Sequence, residues 1–100
     1  MKLAFQKSFR PNLLSLMRTC GYAPQGVHNG QENFTRGLGS GPYPHFHIYV
    51  CEYNLQRFVF TLHFDQKRPS YGDNTMHSGE YESPLVMDEA RRLTGILQTL

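Results

Sequence analysis

Four of the five histidines in this 100-residue chain fall between positions 45 and 77. Three of them sit in two stretches that alternate strictly. These are Pro44-His45-Phe46-His47-Ile48-Tyr49-Val50-Cys51 and Arg57-Phe58-Val59-Phe60-Thr61-Leu62-His63-Phe64-Asp65. Side chains on a strand point to opposite faces with period two. A His-x-His pair therefore puts both imidazoles on one side, about 7 Å apart along the strand. That spacing suits two ligands of one metal ion. If the chain turns back between Tyr53 and Arg57, His45 faces Asp65, His47 faces His63 and Tyr49 faces Thr61. His63 then supplies a third imidazole, and Asp65 a carboxylate that can ligate or orient a histidine.

The segment that follows adds Asp73, His77, Glu80 and Glu82 in a short length of chain. A divalent metal, zinc first, is the expected cofactor of such a cluster and would support hydrolysis. Without a metal, His47 and His63 on facing strands suit general acid/base work near neutral pH. Phosphodiester cleavage fits that case. Lys67 and Arg68 stand at the rim to hold a phosphate, and Tyr71 could stack on a base. His28 stands apart in a glycine-rich loop and is expected to be inert.

The elements that must position these residues follow from the same patterns. On the opposite side of the two strands, Phe46 meets Phe64, Ile48 meets Leu62 and Val50 meets Phe60, which makes one face a core. Leu3 to Phe9 reads as a first strand, and Glu32 to Leu38 as another. Asn12 is a natural N-cap for a helix carrying Leu13, Leu16, Met17 and Cys20 on one stripe, with Gly21 as its stop. Ser83-Pro84 opens a closing helix with Val86, Ala90, Leu93, Leu97 and Leu100 on its apolar side. Ala23 to Gln31 reads as a polar loop. The order is β-α-β-β-β-α. It predicts an α+β two-layer sandwich, with an antiparallel sheet of three to four strands and both helices on one face. Residues 1–100 are expected to form a single domain.

Composition narrows the partners. A net charge of +2 tolerates nucleic acid without arguing for it. Met1-Lys2-Leu3-Ala4-Phe5-Gln6-Lys7 meets charge again too soon for a secretory apolar region. No run approaches the roughly 18 apolar residues of a membrane span. Cys20 and Cys51 lie in apolar-patterned elements and are expected to be buried free thiols of a cytoplasmic protein.

Two resemblances arise from these residues. Phe46-His47-Ile48-Tyr49, Leu62-His63-Phe64-Asp65-Gln66-Lys67-Arg68-Pro69-Ser70-Tyr71 and His77-Ser78-Gly79-Glu80-Tyr81 together resemble a small family of bacterial proteins of about this length. That likeness spans most of the chain. It implies His47, His63, Asp65, His77 and Glu80 as a site, names no reaction, and moves weight away from His45. The second is architectural. Leu13-Leu14-Ser15-Leu16-Met17-Arg18-Thr19-Cys20-Gly21-Tyr22, then histidine-bearing strands and a Leu-rich closing helix, is similar to HicA-type toxins. Those have a double-stranded-RNA-binding-like fold and cleave RNA with a histidine near a Gly-Ser-His stretch. Here Gly41-Pro42-Tyr43-Pro44 separates Gly39-Ser40 from His45. This resemblance implies RNA as partner. A third reading makes the open sheet face a homodimer interface through Tyr49 and Thr61.

Overall fold

The computed structural model describes residues 1–41, 43–66 and 83–100. In chain order the elements are β1 (Lys2–Phe5), α1 (Leu13–Thr19), β2 (Ala23–His28), β3 (Gln31–Gly37), β4 (His45–Tyr53), β5 (Phe58–Asp65) and α2 (Pro84–Gln98). The strands form one antiparallel sheet in the order β1-β5-β4-β3-β2. The architecture is α+β, with five strands where the sequence predicts three to four.

The added strand is β2, which the sequence presents as a polar loop. All six of its residues are exposed, so burial leaves no alternation in them to read. What forms it is the turn that follows. Asn29 and Gly30 have φ of 53° and 78°, the two positive values that a tight hairpin turn matched to strand twist requires. β1 is also shorter than the predicted strand. It ends at Phe5, and Phe9 leaves the sheet to enter the core.

The β4–β5 hairpin has the register that alternation predicts. His45 pairs with Asp65, Phe46 with Phe64, His47 with His63, Ile48 with Leu62, and Tyr49 with Thr61. Asn54 Oδ1 accepts from the backbone N–H groups of Gln56 and Arg57, which closes the turn. Between Val50 and Glu52 the ladder shifts. Cys51 sits at that shift and is exposed, not buried as its apolar neighbours suggested.

Each helix has the ends its sequence calls for. Asn12 Oδ1 accepts from Ser15 N at 2.9 Å, and Ser83 Oγ accepts from Val86 N at 3.3 Å. At the end of α1, Gly21 takes φ of 90°. Gly21 N donates to Arg18 O and Tyr22 N to Met17 O, both at 2.9 Å, which uses two carbonyls the helix leaves free. Leu16, Met17 and Cys20 of α1, and Val86, Ala90, Leu93 and Leu97 of α2, meet Phe34, Phe46, Ile48, Phe58, Phe60 and Leu62 in one core. Both helices therefore cover the same side of the sheet. Burying each large apolar side chain contributes about 1.5–3 kcal/mol. Leu100 lies beyond α2 and is 48% exposed.

One charged residue enters this layer. Glu89 of α2 is buried and binds Arg92 through two bonds of 2.8 Å, Tyr22 Oη at 2.7 Å and Arg36 at 3.1 Å. No helix among the described residues is long and apolar enough to cross a membrane.

Candidate metal centre

With both helices on one face, the other face is set by the odd-numbered residues of β3, β4 and β5. Asn33 pairs with Tyr49 and Thr35 with His47, so β3 adds its own polar residues to the two histidine-bearing strands. Three side chains converge here. His45 Nε2 lies 3.2 Å from Asp65 Oδ2, and His47 Nδ1 lies 3.1 Å from the same oxygen. All three ligand atoms fall within 4.8 Å of one another. His45 and His47 side chains are 14% and 17% exposed, and Asp65 is 39% exposed. The nitrogens are thus sheltered while the carboxylate stays reachable.

The group could hold a metal ion. Zinc binds imidazole nitrogen and carboxylate oxygen at about 2.0–2.2 Å, which places tetrahedral ligand atoms roughly 3.3 Å apart. The two nitrogen–oxygen separations already lie close to that edge length. Two imidazoles and a carboxylate also leave a coordination position free.

Asp65 reaches both histidines because it faces His45 directly and lies diagonal to His47 across the ladder. His63 faces His47 but does not join the group. Its ring stands edge-on to Tyr49, with centroids 5.5 Å apart at 78°. Burial holds the His63 imidazole below its ordinary range; the N-terminal ammonium pushes the same way, and Asp65 opposes it. Tyr49 stacks on His47, with centroids 4.2 Å apart at 21°, and Tyr43 stacks on His45 at 4.7 Å. Burial, helped by Asp65, raises the Tyr49 phenol above its usual range, so it remains uncharged beside the cluster.

Of the residues that the sequence marked for metal, His47 and Asp65 lie in the converging group, and His63 stands beside it. His77 and Glu80 lie outside the described residues, as do Lys67, Arg68 and Tyr71 of the phosphate rim. His45, set back by the family resemblance, is the third member of the converging group. His28 ends the exposed β2 strand. Asn33 was not singled out by sequence. It is 1% exposed and its Oδ1 lies 2.7 Å from His47 Nε2. Its only trace in the sequence is a polar residue one alternate step from Thr35 on a half-buried strand. Compared with family models, curated proteins and solved structures, the chain matches none of them.

Proposed function

We propose that this chain is a divalent-metal-binding protein whose ion, zinc first, is held by His45 Nε2, His47 Nδ1 and a carboxylate oxygen of Asp65. The observation that carries this reading is the placement of two imidazole nitrogens at 3.1 and 3.2 Å from one carboxylate oxygen. Carboxylates and imidazoles are ordinary ligands for zinc, and three protein ligands with a free position are the pattern of catalytic zinc sites. A zinc ion in such a site would lower the pKa of a bound water to about 7, which suits hydrolysis. The residues here do the rest. They fix the ligand atoms, shelter the histidines, and keep an uncharged phenol at the border.

Metal analysis of the purified protein tests this. One zinc per chain, lost in both His47→Ala and Asp65→Ala, is the expected result. A protein that takes up less than stoichiometric metal even after incubation with excess zinc sinks the reading.

One observation favours a second reading. Tyr43, His45, His47, Tyr49 and His63 form a continuous run of rings on the open face, and Tyr43 is 47% exposed. Rings on a sheet face are platforms for unpaired bases. On this reading the chain is an RNA-binding or RNA-cleaving module, as the likeness to HicA-type toxins implies. Metal-free protein that binds RNA with a strong salt dependence would favour it.

A further inference from the structure

We infer that Asn33 is the positioning residue of this centre, holding His47 so that Nδ1 and not Nε2 is the atom offered to the ion. The inference rests on reading the cluster as a metal site. It adds a residue outside the ligand set and a choice of ligating nitrogen. Asn33 and Glu89 are the two buried polar or charged side chains among the described residues, and Asn33 is the more deeply buried. A buried amide is retained when its hydrogen bonds are made, and both ends of Asn33 are used. Nδ2 donates to Gln31 O at 2.8 Å, and Oδ1 faces His47 Nε2 at 2.7 Å.

The first of these bonds decides the second. Turning the amide over would set Oδ1 against the Gln31 carbonyl oxygen, leaving two acceptors in contact. That costs roughly 1–3 kcal/mol in a buried site. With Oδ1 fixed as the acceptor, His47 Nε2 must carry a hydrogen and donate it. An imidazole nitrogen bearing hydrogen has no lone pair for a metal, so ligation falls to Nδ1. Nδ1 is the atom that points at Asp65.

Tyr49 completes the arrangement. It is the cross-strand partner of Asn33, and its ring lies nearly parallel to His47 at 4.2 Å. Tyr49 sets the plane of the imidazole, and Asn33 sets its rotation within that plane. The two histidines therefore present different nitrogens, Nε2 from His45 and Nδ1 from His47.

Nitrogen-15 NMR of the imidazoles, with and without zinc, tests the assignment on the unaltered protein. The expected result is a hydrogen on His47 Nε2 in the metal-free protein, retained on loading, with the metal-dependent shift at Nδ1. Asn33→Leu should weaken zinc binding roughly 10- to 100-fold, the range for a lost outer partner. Asn33→Asp keeps an acceptor toward His47 but sets its other oxygen against Gln31 O, so it should recover the affinity only in part. A metal-free His47 with no hydrogen on Nε2 overturns the inference, and so does zinc at Nε2 or an Asn33→Leu protein with unchanged affinity. If Asn33→Leu does not fold, the spectra of the unaltered protein still decide. If no zinc binds at all, the metal reading fails, while the Nε2 hydrogen separately reports on Asn33.

Discussion

The sheet carries a polar cluster on each face, and the two differ in how completely they are satisfied. On the helix side, Glu89 takes Arg36 Nη1 and Arg92 Nε on one oxygen, and Tyr22 Oη and Arg92 Nη2 on the other. A carboxylate has about four acceptor sites, and all four are filled. Arg92 also donates to Cys20 O at 2.6 Å, so the cluster ties α2 to the end of α1 and to β3. On the open side, Asp65 Oδ2 meets two imidazoles, while Oδ1 receives no hydrogen bond among the described residues. A filled carboxylate can only hold its neighbours. One with capacity left, beside two imidazole nitrogens, can take a ligand.

The largest expected effect breaks the filled side. Glu89→Ala leaves Tyr22 and Arg92 without their acceptor and should cost about 3 kcal/mol of stability, read by chemical denaturation. A loss under about 1 kcal/mol would mean the cluster does not fasten the helices. Next comes the open side. Zinc at a hundred times its dissociation constant should stabilise the protein by about 2.7 kcal/mol. Asp65→Ala should abolish that gain while changing metal-free stability by less than about 1 kcal/mol, since its carboxylate is partly exposed. Equal losses in both states would erase the contrast between the two faces.

A smaller effect concerns pH. His63 is held below the unfolded value of about 6.5. Above that value both states carry a neutral ring, and the folded state keeps its full contribution. As pH falls below about 6.5 the unfolded chain binds a proton that the folded one refuses, so stability drops until the lower folded value is passed. His63→Gln should flatten this part of the stability profile of metal-free protein. An unchanged slope would show that the ring is not held neutral. The last effect leaves stability untouched. Burial pushes the Cys20 thiol up to about 11, whereas Cys51 is exposed. A thiol reagent at pH 8 should titrate Cys51 quickly and Cys20 only on unfolding.

Much of this was legible because burial writes period into sequence. Alternation from Phe46 to Val50 and from Phe58 to Phe64 was enough to set the hairpin register, and with it the faces of His47 and Asp65. Asn12, Gly21 and Ser83-Pro84 marked helix ends through their own backbone chemistry. β2 was not legible, because a strand exposed on every residue records no side. Only Asn29-Gly30 marked it, through the conformations those two residues tolerate. Nor could register choose between His45 and His63, which face the same way. That choice lies in side-chain rotation, where Asp65 reaches His45 and Tyr49 takes the edge of His63. Asn33 was hidden for the same reason. Its amide bridges two strands, and neither strand's pattern encodes a bridge.

The ladder shift at Cys51 has a consequence for how this strand can change length. Val50 faces Phe60, but Glu52 faces Val59 and Tyr53 faces Phe58, so Cys51 is the supernumerary residue. Even-numbered side chains point to the helices before it, and odd-numbered Tyr53 does so after it, packed on Phe9 and Phe58. Losing the codon for Cys51 would restore plain alternation and leave every other β4 side chain on its present face. Losing the codon for Phe46 instead would make His45 and His47 neighbours on opposite faces and drive one of them toward the helices. The bulge is thus a spare letter in an otherwise fixed reading frame, set between the part of β4 that carries the histidines and the part that only packs.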